Sequence, residues 1–315
     1  MIGLRQILDR SRMVRAGLVL VAALLGVMAP RGAGAQTADQ PTTRIVSLVP
    51  GLTEILFTLD AAPMVAGVSD YCIYPPEAAQ KPRVGGLINP SLENVLAQSP
   101  TVVLLYRSQE DFAAKLARLN VRTEMFSTDT LADILSAIDR LGGETGHTTQ
   151  AAQLSARLQR ELAPAPAWPE GVTSPTGVII VSRDDAAPTS LYQAAEGNFL
   201  GELFVRAGGQ LAIPRGAPID REAIIRANPD IIIDLNSPAG AGERQPGAGG
   251  GVTQLPRNVQ RETGLWKSLA TVDAVKRGHV YFWHDRYTAV PGPGVAQSAR
   301  VLRAIIADSR AAAGQ

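Results

Sequence analysis

The sequence predicts an α/β chain of two similar lobes, each built on a mostly parallel β-sheet. Three observations predict it. The first is a pattern stated twice: Ser91-Leu92-Glu93-Asn94-Val95-Leu96-Ala97-Gln98-Ser99-Pro100-Thr101-Val102-Val103-Leu104 returns as Asp220-Arg221-Glu222-Ala223-Ile224-Ile225-Arg226-Ala227-Asn228-Pro229-Asp230-Ile231-Ile232-Ile233. Each copy reads as a short helix with a Glu in its first turn, a proline stop and an apolar strand, at the same Glu-to-Pro spacing. The second is the alternation of apolar strand segments with helical segments, which argues for parallel pairing through crossover helices. The third is length: 315 residues exceed one average domain and suit two lobes.

The elements follow in order. Arg5, Arg10, Arg12 and Arg15 form a basic region, residues 16–29 an apolar run, and Ala33-Gly34-Ala35 a small-x-small cleavage site before Gln36. That run is too short to span a bilayer comfortably, so residues 1–35 are expected to be a removable export signal. No Cys follows it, so no lipid anchor is expected there. Residues 45–49 read as a buried strand, and Pro50-Gly51 turns the chain into a helix over 52–59. Residues 65–68 are a second strand. The loop Asp70-Tyr71-Cys72-Ile73-Tyr74-Pro75-Pro76 follows, because paired prolines forbid helix before them. Val84-Gly85-Gly86 and Asn89-Pro90 are turn punctuation ahead of the first copy of the repeat. A helix over 111–119, a strand over 121–126 and a helix over 131–141 complete the first lobe.

Residues 148–162 give the clearest helix, with Ala151, Leu154, Leu158 and Leu162 on one face and Pro164 and Pro166 beyond its end. It falls between the lobes and is expected to connect them, more stiffly than the extended crossovers that permit wide closure. The second lobe opens with a strand at 177–181, then a helix over 197–207 capped by Gly208-Gly209. The second copy of the repeat leads to a strand at 231–235. Residues 237–251, rich in Gly, Ala and Pro, read as a surface insertion or a loop over a cleft. An amphipathic stretch from Trp266, a strand at 280–283 and a helix over 294–307 close the chain.

Composition narrows the function classes. The formal net charge is +1; without residues 1–35 the balance is 25 basic to 28 acidic residues, with no basic patch, so nucleic acid is not an expected partner. Cys72 is the only cysteine, which excludes an internal disulfide, and is expected to be a partly buried thiol. His147, His279 and His284 lack zinc-site spacing. There is no G-x-S-x-G elbow, no P-loop, no G-x-G-x-x-G after a strand and no H-E-x-x-H, so nothing selects an enzyme. In open parallel sheets ligands bind beyond the carboxyl ends of the strands. That rule selects Ser47, Pro50 and Thr53, then Asp70 and Tyr71, then Tyr106 and Arg107; from the second lobe it selects Ser182, Arg183, Asn236 and the stretch from His284 to Tyr287. Aromatic faces in this set suit a flat ligand, and arginines its acidic groups. Two matched carboxylates, Glu93 and Glu222, suggest a symmetric partner.

The run Arg44-Ile45-Val46-Ser47-Leu48-Val49-Pro50 with Thr53-Glu54, then Val65-Ala66-Gly67-Val68, Tyr74-Pro75-Pro76, Val84-Gly85-Gly86, Asn89-Pro90-Ser91-Leu92-Glu93 and Pro100-Thr101-Val102-Val103-Leu104 resembles the periplasmic substrate-binding proteins of cobalamin, siderophore and haem ABC importers, most nearly the cobalamin-binding members. The likeness spans about residues 44–310, more specifically in the first lobe. It implies the class III fold: two Rossmann-like lobes, here 44–145 and 175–315, joined by one long helix within 146–165, with ligand in a shallow cleft. It implies a periplasmic carrier, not an enzyme, that captures a corrinoid and delivers it to an inner-membrane permease dimer with its ATPase. A ferric siderophore or haem is the alternative cargo, and an exported α/β enzyme or a lobe that no longer binds ligand the rival of another class. No resident cofactor or metal is implied, only a metal-bearing organic ligand. Family positions map the ligand-lining aromatics onto Tyr71, Tyr106 and Tyr287. Haem would need an axial Tyr71 or His284; a siderophore would need cations such as Arg107, Arg183 and Arg286. Cobalamin binders carry tryptophan where this chain has Leu87 and Gly216. Glu93 and Glu222 stand where the family docks one carboxylate per lobe against permease arginines, because a twofold permease presents the same cationic pocket twice.

Overall fold

The computed structural model describes residues 43–184, 189–216, 218–236, 265–283 and 290–313. The expected export signal and the 237–251 insertion lie outside the described residues.

In the first lobe β1 (Ile45–Ser47) is buried throughout. Pro50 then opens α1 (Pro50–Thr58), where its missing N–H costs nothing because a first-turn N–H has no partner in the helix. After β2 (Val65–Val68), Ser91 caps α2 (Leu92–Ala97) by accepting the Asn94 N–H at 3.2 Å. The chain continues through β3 (Val102–Tyr106), a tight turn at Arg107–Gln109, α3 (Glu110–Ala117) and β4 (Thr123–Phe126). Then comes α4 (Leu131–Thr145), started by a reciprocal Thr130–Asp133 capping box. The four strands pair in parallel in the order β2-β1-β3-β4.

The second lobe repeats this plan with one addition. β5 (Thr176–Ser182) is its central strand. β6 (Tyr192–Gln193) pairs antiparallel with the carboxyl end of β5; after α6 (Phe199–Arg206), β7 (Gln210–Leu211) pairs parallel with the amino end of β5. Then follow α7 (Arg221–Ala227), β8 (Ile231–Asp234), α8 (Asp273–Arg277), β9 (Val280–Phe282) and α9 (Val295–Ala313). β8 lies beside β5 and β9 beside β8, as β3 lies beside β1 and β4 beside β3. The two copies of the repeat, α2–β3 and α7–β8, therefore hold the same place in the two sheets. The helix expected from residue 197 starts two residues later, because Gly197 is left-handed (φ +81°) and Asn198 caps the Leu200 N–H.

Side chains alternate between two cores along each strand, so both sheets are covered on both faces. Val46, Val103 and Leu105 face one way in the first lobe, and Val178, Ile232 and Val280 do so in the second. Ile45, Leu104, Ile179 and Ile233 share a single larger cluster. That cluster includes Ala151, Leu154 and Leu158 of α5 (Thr148–Glu161), the helix between the two sheets, and Leu302 and Ile306 of α9. α5 packs on α4 from the first lobe and on α9 from the second. Arg303 donates to Glu161 O and Ala163 O at 3.1 and 2.7 Å, satisfying carbonyls at the end of α5, and Arg300 pairs with Glu161 at 2.6 Å.

The lobes also meet along a seam on their strand-end side. The Phe199 N–H donates to Asp129 O at 2.6 Å, and the Leu131 N–H to Glu202 Oε2 at 3.0 Å. At Gly51 the backbone of α1 comes so near Pro291 that a Cβ would stand 2.2 Å from its carbonyl oxygen.

Candidate functional site

Because the first sheet is all parallel, the carboxyl ends of β1 to β4 gather on one edge. Tyr71 follows β2 there and is 62% exposed; its ring lies beside Gly86, where a Cβ would be 3.6 Å away. The Asp70 N–H donates to Gly85 O at 2.9 Å, tying the Tyr71 loop to the 84–90 loop. Gln109 ties the same loop to the end of β3, donating to Leu87 O at 2.7 Å and accepting the Tyr106 N–H at 2.8 Å. These bonds fix Tyr71, Tyr106 and the turn beginning at Arg107 on one edge. Beside Tyr71, Ile73 is 39% exposed and Ile88 94% exposed. Leaving an isoleucine as bare as Ile88 forgoes about 2 kcal/mol of burial, and both isoleucines stand in the two loops that the Asp70–Gly85 hydrogen bond ties together.

Tyr106 is half-buried and donates its hydroxyl to Asp129, which also accepts from Ser127 Oγ at 2.9 Å. Burial first, and the Asp129 carboxylate second, push the Tyr106 phenol up to about 12. Arg107 is exposed at the start of its turn. Burial pushes the neighbouring Asp133 carboxyl upward, but hydrogen bonds from Thr130 and Ser127 and the Arg107 charge together hold it below its ordinary value.

Other expected positions are corrected. Ser47 and Thr53 are fully buried, with Thr53 donating to Ser47 Oγ at 2.8 Å and to Cys72 Sγ at 3.1 Å. They serve the core rather than a ligand, because the β1 end is still covered by the loop after β2. Cys72 is wholly rather than partly buried, and burial pushes its thiol up. Arg183 is not a cation facing the ligand: it is buried against Asp234 at 2.7 Å, with Trp266 Nε1 on the same carboxylate oxygen at 3.1 Å. Asn236 folds back onto the other oxygen of Asp234 at 3.0 Å. His284, Arg286 and Tyr287 lie outside the described residues.

The second lobe offers an aromatic that the strand-end rule missed. Tyr192, 48% exposed, stands opposite Ser182 at the carboxyl end of β5. Its openness follows from the pairing of β6 on β5, which buries Leu191 and Gln193 on either side of it. Ile88 was legible in the sequence, as an apolar residue stranded between Gly85-Gly86 and Asn89-Pro90.

Glu93 and Glu222 occupy the same second position of α2 and α7. Each helix is capped by a side chain accepting the third-position N–H, Ser91 at 3.2 Å and Asp220 at 2.6 Å. Both glutamates are exposed, and neither makes a hydrogen bond or ion pair with the described residues. Among the described residues no group of three or more His, Cys, Asp or Glu could hold a metal ion.

The profile of a family described as periplasmic binding protein matches residues 45–287, which span both sheets. The chain belongs to the periplasmic binding protein family. This periplasmic binding protein is the substrate-binding component of an ABC importer rather than an enzyme. It is 25% identical over 250 residues to the "High-affinity heme uptake system protein IsdE" of Staphylococcus aureus, covering 76% of this chain and 78% of that one. Its fold is shared with the "Periplasmic heme-binding protein BhuT in complex with two hemes", at a TM-score of 0.66 and 18% identity over 84% of this chain and 98% of that one. It is shared equally with the periplasmic vitamin B12 binding protein BtuF of Vibrio cholerae, at a TM-score of 0.63 and 18% identity over 85% and 97%. Among the described residues no helix is long and apolar enough to cross a membrane.

Proposed function

We propose that this periplasmic binding protein captures haem, with the Tyr71 phenol facing the iron, and hands it to a permease dimer through Glu93 and Glu222. The observation that carries the ligand reading is Tyr71 itself. It is an open phenol, in loops that also leave Ile73 and Ile88 exposed, which offers a flat hydrophobic face and an oxygen that ferric iron accepts. The sequence likeness to a staphylococcal haem uptake protein supports the same reading. Haem therefore replaces the corrinoid expected first, for which Leu87 and Gly216 stand where aromatic walls would be wanted. Arg107, exposed on the same edge, suits a haem propionate. Residues 1–35 would be removed on export, placing the carrier in the periplasm.

The test is absorbance titration of residues 36–315 with haemin, beside cyanocobalamin and a ferric siderophore. One-to-one binding of haemin with a shifted Soret band, altered by Tyr71→Phe, is the expected result. Binding of cyanocobalamin without haemin would return the site to corrinoids. A haemin spectrum untouched by Tyr71→Phe would move the iron to another ligand.

A further inference from the structure

We infer that Leu96 and Ile225 complete the docking footprint of the two glutamates, so that each lobe offers its permease one carboxylate and one aliphatic side chain on the same helix face. This rests on the reading that Glu93 and Glu222 meet a permease dimer. Leu96 lies three residues beyond Glu93 and Ile225 three beyond Glu222, a spacing that puts each pair on one face of its helix. The phase of the two helices is the same: the residue before each aliphatic, Val95 or Ile224, is wholly buried, while Leu96 is 37% and Ile225 44% exposed. The buried neighbour anchors the helix to its sheet; the exposed one is in none of the three apolar clusters.

A single exposed Leu or Ile carries no meaning on a protein surface. What carries meaning here is recurrence. The same residue class stands at the same helix position, one turn from the same exposed carboxylate, on helices that lead into β3 and β8, the strands that hold the same place beside β1 and β5. A footprint repeated in this way fits a partner that is itself twofold. The carboxylates choose among such partners. A second copy of this chain would set Glu against Glu, and an anionic lipid surface would be repelled in the same way. A protein dimer that presents a cation beside an apolar pocket, once per subunit, matches both parts of the footprint. The carboxylate then steers and orients the approach, and the aliphatic side chain, losing its remaining water, slows dissociation.

The experiment measures binding of the ligand-free chain, residues 36–315, to the cognate permease–ATPase complex in lipid nanodiscs, at low and high salt. Three double variants are compared with the wild type: Leu96→Ser with Ile225→Ser, Leu96→Met with Ile225→Met, and Glu93→Gln with Glu222→Gln. The serine pair is expected to bind roughly tenfold more weakly with its salt dependence kept, the methionine pair to bind like wild type, and the glutamine pair to lose the salt dependence. Haemin affinity, measured on each variant, should not move, and each variant should still melt well above the assay temperature. Wild-type docking by the serine pair beside weak docking by the glutamine pair would overturn this inference and leave the glutamate reading standing. Wild-type docking by both pairs would overturn the two together.

Discussion

The Tyr106 phenol is half-buried and donates a hydrogen bond to Asp129, and both circumstances oppose ionisation. An unfolded tyrosine ionises near pH 10, roughly the ordinary value, whereas the folded one waits until about 12. Below that window both states hold the proton and the group's contribution to stability is complete. Within it the unfolded chain has lost its proton while the folded chain keeps it, so stability falls as pH climbs from about 10 to about 12. Replacing Tyr106 by Phe should flatten this fall and delete one late phenolate step from an alkaline absorbance titration; a step unchanged in number would place the proton elsewhere. Cys72 makes the opposite kind of point. Its thiol is shut in by Thr53 and Ser69, so a thiol reagent should leave the native chain unmodified and label one thiol per chain once denaturant is added.

Short helices were plain in the sequence, because the pattern that starts and stops them is local; Ser91 and Asp220, one turn before Asn94 and Ala223, supply their caps. Approaches between distant elements were not. Gly51 reads in sequence as half of a Pro-Gly turn, yet its lack of a side chain is needed where α1 meets the segment before α9. A Cβ there would stand 2.2 Å from Pro291 O, and one on Gly292 would stand 2.6 Å from Glu54 Oε2. At Gly51 the approach is to backbone, which leaves no flexible side chain to give way. Gly51→Val should therefore cost about 1–3 kcal/mol in urea unfolding, the usual range for overpacking. Gly143, inside α4 with nothing within 4 Å of its would-be Cβ, is the control: Gly143→Ala should stabilise by about 0.5–1 kcal/mol. Equal tolerance at both positions would mean that the α1–Pro291 contact yields freely.

Across the whole molecule, the repeat and the strand–helix alternation made the two lobes legible, and the strand-end rule selected Tyr71 and Tyr106, which the fold leaves on one edge. It failed where burial depends on a distant loop: Ser47 ends β1, Thr53 lies in the helix after it and Tyr71 follows β2, but only Tyr71 has left the core. It failed again at Arg183, because the Asp234 that claims it comes from another strand. Ligand choice was less legible still, since an aromatic edge with an arginine suits any flat acidic macrocycle. Resistance to closure, by contrast, follows from the helical connection already read between Pro-free residues 148 and 162. The structure strengthens it: α5 is 14 residues, or about 21 Å, of regular helix. Its buried face belongs to a core shared by both sheets, and its end is held by Arg300 and Arg303 of α9. Two further hydrogen bonds, from Phe199 to Asp129 and from Leu131 to Glu202, cross between the lobes. Opening the cleft widely would break these bonds and expose part of that core. Small-angle scattering of residues 36–315 with and without haemin should therefore give radii of gyration that agree within about 1 Å, as for partners that bind with little backbone movement. A contraction of several times that size would show that α5 bends or that its packing on α4 and α9 lets go.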